Sequence, residues 1–266
     1  MAELQSIDTR IHSWLDKLEP ITLEQMSGIK LMNRTDTKFV TNKEKLAQLL
    51  ELAQGKYYAQ FHAGSSIATY MTTYWDTEDY LFYMEHHNGR APRQKVRVRT
   101  YVGSIGAFDG NELTFLEVKT KNNHGRTKKK RIEVPSQDVL TGGDEFVNGL
   151  VHHHLDEIHP TVRNHFHRIT LVNYGKTERL TIDFDVEFDN FETNSHKGTG
   201  QLVIIELKRD GNVPSPVLEI LRKLRIKPSG FSKYCIGSVM TNPELKHNLF
   251  KPKLVRINRL VNRTYS

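Results

Sequence analysis

Charged and apolar residues alternate along several segments of this chain, a pattern that places the charges on one face of an extended strand. In the segment KVRVR, the cations Lys95, Arg97 and Arg99 alternate with Val96 and Val98. Successive side chains of a strand point to opposite faces, so the three cations share one face. Arginine contacts phosphate through paired donors, and lysine acts as a compact positive charge. The spacing therefore predicts a surface that binds phosphates.

The same alternation recurs at 116–119, 129–134, 179–184 and 203–208, with Glu117, Asp183 and Glu206 as the carboxylates on the charged faces. Such alternation usually indicates a half-buried sheet whose charged face is solvated. A solvated face, however, more often balances its signs, whereas cations dominate here. If the sheet closes on itself, the charged faces point inward and form a cationic tunnel. The cations predicted to line it are Lys38, Arg97, Arg99, Lys119, Lys129, Arg131, Arg168, Arg179, Lys208 and Lys233.

Strand patterns dominate the elements that would position these residues. Strands are predicted at 36–40, 67–76, 79–86, 94–102, 113–120, 128–134, 163–173, 178–187 and 201–209. Helices are predicted at 7–18, after a capping box formed by Thr41 and Glu44, and at 137–151, 215–225 and 243–250. Many strands in adjacent pairs with few helices favour an antiparallel sheet or barrel in an α+β domain.

Composition sets the class of protein and of partner. The 266 residues carry 38 Lys and Arg against 31 Asp and Glu, a net charge of +7 that favours a polyanionic partner. The single cysteine, Cys235, excludes an intrachain disulfide and is expected to be buried. The chain shows neither a secretory signal nor a transmembrane run, so a cytoplasmic location is expected. Without an obvious linker or repeat, residues 1–266 are predicted to form one domain.

Taken in order, these motifs resemble a known family. They are Arg97-x-Arg99, Leu-Glu-x-Lys at 116–119, Lys129-x-Arg131, Arg168, Arg179-x-x-x-Asp183, Ile-Glu-Leu-Lys at 205–208 and Phe-Ser-Lys-Tyr at 231–234. The chain is similar to the VTC polyphosphate-polymerase domain, a branch of the triphosphate tunnel metalloenzymes. The similarity runs from about residue 34 to residue 237, with 238–266 as a C-terminal helical extension.

The resemblance implies an eight-stranded antiparallel tunnel barrel with flanking helices. It implies a polymerase that transfers the ATP γ-phosphate to a growing inorganic polyphosphate chain, with Mn²⁺ or Mg²⁺ held by Glu206. The catalytic residues are then Arg97, Arg99, Lys119 and Glu206. The remaining phosphate-binding residues are Lys38, Lys129, Arg131, Arg168, Arg179, Lys208, Ser232 and Lys233. Asp183 is interpreted as structural support rather than a metal ligand.

Two positions depart from the pattern. The hydrolase branches begin with Glu-x-Glu-x-Lys, where this chain has Arg34-Thr-Asp36-Thr-Lys38, and fewer carboxylates favour the polymerase branch. Arg34 and Asp36 are interpreted as a pair at the rim. Gly230 stands where some family members have a lysine, which predicts a less basic far end of the site.

Other functions stay open at this stage. A metal-dependent tripolyphosphate or nucleoside triphosphate hydrolase uses the same cations, and so does a non-catalytic polyphosphate-binding module. The basic run at 126–131 suits nucleic acid, but the charged faces lack the aromatic residues that stack on bases, so we do not expect nucleic-acid binding. His152, His153 and His154 point in different directions on a helix and do not predict a zinc site. The tail at 252–266 is predicted to pack as a helix or to dock on a membrane protein.

Overall fold

A computed structural model describes the chain over residues 2–27, 29, 34–102, 112–123, 127–137, 140, 143–153, 155, 157–211 and 213–261. The helices in this part are α1 (Ala2–Leu15), α2 (Leu23–Ser27), α3 (Lys43–Ala53), α4 (Leu81–His87), α5 (Asp144–Asn148), α6 (Pro216–Lys223), α7 (Lys233–Thr241) and α8 (Lys251–Val261). The strands are β1 (Glu19–Ile21), β2 (Arg34–Asn42), β3 (Tyr57–Gln60), β4 (Ile67–Asp76), β5 (Arg93–Val102), β6 (Leu113–Lys121), β7 (Thr127–Glu133), β8 (His159–Asn173), β9 (Glu178–Asn190), β10 (His196–Gly198) and β11 (Leu202–Asp210).

One large sheet contains all of these strands. Eight of them follow in the order β2-β11-β9-β8-β4-β5-β6-β7, and every pair along this path is antiparallel. The short strands β1, β3 and β10 are attached at its sides. The predicted α+β class with a large antiparallel sheet is confirmed.

The sheet does not close into the barrel that the resemblance implied. Its two end strands, β2 and β7, are not paired with each other among the described residues. Instead, the segment that precedes α7 occupies the outer edge of β2: Pro228 bridges Phe39, and the amide of Ser229 donates to the carbonyl of Lys38 at 2.8 Å. The edge of β2 that would have to pair with β7 to close the barrel is therefore occupied.

The open sheet is nevertheless strongly curved. The ammonium of Lys38 on β2 donates to the carbonyl of Phe231 at 3.1 Å, and the ammonium of Lys95 on β5 donates to the hydroxyl of Ser232 at 2.7 Å. Phe231 and Ser232, which are consecutive, thus accept hydrogen bonds from β2 and β5, two strands that lie five positions apart in the sheet order. The charged faces of β2 and β5 are consequently turned toward each other.

Apolar side chains bury both faces of the sheet. On the convex side, helices α1, α3 and α6 pack on β9 and β11, with Leu46, Leu180 and Ile205 fully buried among them. On the concave side, α7 packs against β8 and β9, where Phe166 and Phe188 are buried. Because α7 fills part of the concavity, only the remaining part is lined by cations.

Several predicted elements change. The segment 79–86 is helix α4 instead of a strand, because Asp76 accepts the amides of Phe82 and Tyr83 at 2.9 Å and thereby fixes the first turn. The cap of α3 is Asn42 instead of Thr41. Within 137–151 the described helix is α5 alone, and the helix expected at 243–250 begins at Lys251 after a short 3-10 turn. Helix α7 was not predicted.

Cys235 is buried as expected. No helix in the described ranges combines the length and the hydropathy needed to cross a bilayer.

Candidate phosphate-binding site

The site is built on strands β5, β6 and β7, which pair in a register that aligns the charged residues in rows. One row contains Lys95, Lys119 and Lys129, each directly opposite its neighbour. The next row contains Arg97, Glu117 and Arg131. The alternation that was visible within each strand is thus brought into phase across three strands.

Glu117 holds two of the predicted cations in place. Its carboxylate is fully buried and accepts Arg97 Nε at 2.8 Å and Lys129 Nζ at 2.8 Å. Burial acts to raise the pKa of Glu117, but the fields of Arg97 and Arg99 outweigh burial and hold it well below its ordinary value. Glu117 is therefore an anion that fixes the guanidinium of Arg97.

Asp183 performs the same task on β9. Arg168 donates to both oxygens of its carboxylate, from Nε at 2.6 Å and from Nη2 at 2.8 Å, and Lys233 donates to one of them as well. Burial alone would raise the pKa of Asp183, yet Arg168 and Lys233 hold it well below its ordinary value. The interpretation of Asp183 as structural support agrees with these contacts.

Lys119, like Lys95 and Arg99 on this face, has no ion-pair partner in the described part of the chain. Both oxygens of Glu117 are already engaged by Arg97 and Lys129. The field of Arg97, burial and the field of Arg99 lower the pKa of Lys119 well below its ordinary value. An anion bound beside Lys119 would be attracted by Lys119, Arg97 and Arg99 at once.

Glu206 lies on β11, directly opposite Lys38 on one side and Thr181 on the other. Burial opposes ionisation of this carboxyl, but Lys38, Lys208, Arg168 and Lys119 together lower its pKa to about 2. The nearest of these ammonium groups, Lys208 Nζ, is 4.0 Å from the carboxylate. Lys119 belongs to β6, so Glu206 and Lys119 face each other across the concavity.

A pair of aromatic rings forms the floor between the two halves. Tyr70 and Phe166 stack with their centroids 5.4 Å apart. The guanidinium of Arg168 lies 4.8 Å from the centre of Tyr70, and the ammonium of Lys233 lies 3.8 Å from the centre of Phe166. Arg99 is 5.7 Å from Tyr70, and burial together with Arg97 and Arg168 lowers its pKa to about 10. Cation–π contacts thus help to hold Arg99, Arg168 and Lys233 beside the two rings.

The first turn of α7 completes the site. Ser232 is its N-cap, accepting the amide of Cys235 at 3.3 Å, and its hydroxyl also accepts Lys95 Nζ. The positive end of the helix dipole therefore points toward the cations. Lys233 follows at the first helical position, and burial lowers its pKa to about 7, with Asp183 raising it and Arg168 lowering it.

Most of the predicted site residues meet here, but the β7 side is open. The structure brings together Lys38, Arg97, Arg99, Lys119, Arg168, Glu206, Lys208, Ser232 and Lys233. Lys129 reaches Glu117 from a half-exposed position. Arg131 is on the expected face but exposed, lying 4.2 Å over the ring of Phe115, so it belongs to the rim. Arg179 lies in the next row, opposite Lys208. The side chain of Arg34 lies outside the described part.

Sequence reasoning missed four contributors. Lys95 was visible in the alternation but was not assigned a role. Tyr74 lies opposite Arg97, and although burial opposes ionisation of its phenol, Arg97, Lys95 and Arg99 lower its pKa. Thr72 accepts Arg99 Nε at 3.1 Å. Thr181 is buried beside Glu206 with a hydroxyl that has no partner in the described structure. The polar positions on β4 and β9 carried no sequence signal.

Glu206 is the candidate ligand for a metal ion among the described site residues. No group of three His, Cys, Asp or Glu side chains suited to a metal occurs among the described residues. Of the three consecutive histidines, His153 contacts Glu85 at 3.0 Å, and His154 is outside the described part. Mg²⁺ in proteins often uses one or two carboxylates and completes its shell with substrate phosphates and water. Glu206 fits that mode, in which the phosphates supply the other ligands.

Comparisons with known proteins bear on the family. The chain resembles three solved structures at low similarity: the PH1012 protein from Pyrococcus horikoshii OT3 (13% identity, TM-score 0.40, 73% of this chain and 91% of that one), a conserved hypothetical protein from Pyrococcus furiosus (14%, 0.39, 74% and 97%) and the Schizosaccharomyces pombe Mediator head module (10%, 0.40, 72% and 90%). These likenesses carry no functional weight. Comparison with curated proteins gave no match.

The sequence model of the VTC domain matches residues 33–242, which include every site residue named above. The match extends the expected 34–237 by one residue at its start and by five at its end. This chain belongs to the VTC domain family.

Proposed function

We propose that this protein is a polyphosphate polymerase, which transfers the γ-phosphate of ATP to the end of an inorganic polyphosphate chain. The terminal oxygen of the chain bonds to the γ-phosphorus, the bond from that phosphorus to the bridging oxygen breaks, and ADP leaves. The observation that carries the proposal is the placement of Lys119 and Glu206 on opposite walls of one cationic concavity. The VTC family is linked to polyphosphate metabolism, which agrees with this chemistry.

The charge balance of the site requires a polyanion. Glu117 and Asp183 are engaged by their own cations, while Lys119, Lys95 and Arg99 have no carboxylate at hydrogen-bonding distance among the described residues. Enclosed charges without counterions are costly. A triphosphate, or a longer chain of phosphates, supplies the missing negative charge.

The residues divide the work of phosphoryl transfer by their geometry. Arg97 and Arg168, each fixed by a carboxylate, present guanidinium groups that orient the phosphates. Lys119, Lys95 and the first turn of α7 are proposed to stabilise the charge that develops on the transferred group, and Lys95 is already held by its hydrogen bond to Ser232. Bound Mn²⁺ or Mg²⁺ at Glu206 would supply neutralisation of phosphate charge.

The acceptor explains why the site needs no base. The terminal oxygen of a polyphosphate chain is already an anion, so no proton has to be removed before it attacks. In a hydrolase, water would take the place of that oxygen. ATP and polyphosphate are the proposed ligands, and hydrolysis or simple binding is the alternative that an assay must separate.

The test is incubation of purified protein with γ-labelled ATP and Mn²⁺ or Mg²⁺, with products resolved by gel. We expect a ladder of polyphosphate that disappears in Glu206→Gln and in Arg97→Ala. The matched controls Glu219→Gln and Arg222→Ala change exposed residues on α6 and should leave the ladder intact. Free phosphate without a ladder would indicate a hydrolase. Binding of tripolyphosphate without any turnover would leave a binding module.

A further inference from the structure

A second group of cations lies beside the site, where β5 begins and α8 crosses the segment before α7. Arg93 is the first residue of β5 and is directly opposite Lys121, the last residue of β6. Lys253 comes from α8, a helix that contains Lys and Arg but no Asp or Glu. Neither Arg93 nor Lys253 has an ion-pair partner in the part of the chain that the structure describes.

Strand alternation places Arg93 on the same face of β5 as Lys95, and Lys253 lies beside Gly230, two residues before the Ser232 that accepts Lys95. Two neighbouring groups, one on α4 and one on α7, agree with this placement. His86 on α4 has a ring Nδ1 that is buried without a partner, and burial, followed by the fields of Lys95, Arg93 and Lys253, lowers its pKa to about 2. Burial raises the pKa of Cys235 on α7, and the same three cations act against that shift. Lys95 also donates to Ser232 and stands opposite Lys119 on β6. It therefore connects Arg93 and Lys253 with the cations that are proposed to be catalytic.

Gly230 leaves room for the cation from α8. The ammonium of Lys253 lies 3.8 Å from the position that a Cβ of Gly230 would occupy. The sequence predicted a less basic site at Gly230, where some relatives have a lysine. In the structure, α8 brings the ammonium group of Lys253 beside Gly230 from a distant part of the chain.

We propose that Arg93 and Lys253 form a second phosphate subsite, continuous with the catalytic cations through Lys95, that holds the part of a polyphosphate chain beyond the reacting phosphates. This inference rests on the proposed function, since it concerns the same ligand. The subsite is open, since Lys253 is exposed and Arg93 is half-buried. A flexible chain of phosphates can follow such a path, whereas a triphosphate is too short to fill both subsites.

The test compares binding of tripolyphosphate with binding of long-chain polyphosphate, by calorimetric titration of the full chain without nucleotide. For the double variant Arg93→Gln, Lys253→Gln, we expect long-chain binding to weaken about tenfold, the size expected for two exposed charge pairs. Tripolyphosphate binding should stay within about twofold of the wild type, because the variant leaves the catalytic cations intact. Lys251→Gln, an exposed change on the same helix, is the matched control.

The outcomes separate this inference from the proposed function. If wild-type protein binds both ligands and the double variant does not differ from it, the subsite is absent while the proposed function stands. Equal weakening for both ligands would place the two residues in the catalytic cluster and overturn a separate subsite. If the wild type binds neither ligand, both proposals fail. A single-stranded RNA that binds with the same dependence and is not displaced by polyphosphate would also overturn the assignment.

Discussion

Lys95 and Lys119 lie directly opposite each other on adjacent strands, and Lys129 continues the same row on the third strand. Like charges at opposed positions of a sheet repel and destabilise it. Burial is the main cause that lowers the pKa of Lys95, whereas the field of Arg97 is the main cause for Lys119. We therefore expect an anion bound between Lys95 and Lys119 to relieve this repulsion.

The replacement Lys119→Met should therefore separate stability from binding. We expect a ligand-free protein that is more stable by about 0.5 kcal/mol, because one opposed cation is gone. The stabilisation by tripolyphosphate should fall sharply, since fewer cations meet the ligand. Thermal unfolding with and without tripolyphosphate measures both effects.

The control for that experiment is Lys128→Met, an exposed lysine on the other face of β7. It should change neither the unfolding temperature nor the ligand shift by much. A Lys119→Met protein that keeps the full ligand shift would remove Lys119 from the site.

Glu117→Gln should destabilise the protein through the cations it holds. The amide keeps the shape of the side chain but leaves the buried guanidinium of Arg97 without a charged partner and removes the ion pair of Lys129. Breaking such a buried pair costs about 3 kcal/mol. Chemical denaturation measures this loss, and Glu133→Gln, a change of an exposed residue at the end of β7, is the matched control. Equal stability of the two variants would contradict the central position of Glu117.

Ligand binding should take up a proton above pH 7. The pKa of Lys233 is lowered to about 7 in the ligand-free protein, and that of Lys119 is also lowered. A bound phosphate chain favours the charged form of both lysines and raises these pKa values. Affinity should therefore fall as the pH rises above 7, where Lys233 must be protonated on binding. Below pH 7 Lys233 is already charged, and its contribution to this dependence disappears.

Calorimetric titrations with tripolyphosphate in two buffers of different ionisation enthalpy will measure the proton uptake. The variant Lys233→Arg carries a permanent charge and should take up less. Identical enthalpies in both buffers for the wild type would refute the linkage.

Gly237→Ala should disturb the site from a distance. A Cβ at Gly237 would lie 2.6 Å from Cε1 of Phe188 and would also clash with Cδ1 of this buried ring, which cannot easily move aside. We expect a loss of about 1–3 kcal/mol from overpacking and weaker tripolyphosphate binding, because α7 carries Ser232 and Lys233. Gly198→Ala meets its nearest atom at 3.9 Å and serves as the control. Unchanged tripolyphosphate binding would show that the site does not depend on the exact position of α7.

Local patterns were sufficient to predict the strands that carry the charges. The alternation in β5, β6 and β11 follows from the two-residue period of a strand, which operates within a few neighbours. The family motifs followed from the same residues. The strand predicted at 79–86 was wrong. The Tyr and Phe residues of this segment suit a strand, but Asp76 at the end of β4 accepts the backbone amides that start a helix.

Tertiary structure decided what these faces do. Near Asp185, which has a positive φ of 48°, the β8–β9 register shifts, so Phe184 packs with the convex core and Phe188 packs against α7. Occupation of the β2 edge by Pro228 and Ser229 leaves the sheet open. The sequence by itself determined which residues are cationic and share a face. Only the tertiary structure put Glu206 and Lys119 on facing walls, through the curvature of the sheet, and placed Lys253 of α8 beside Gly230. No local period relates the members of either pair.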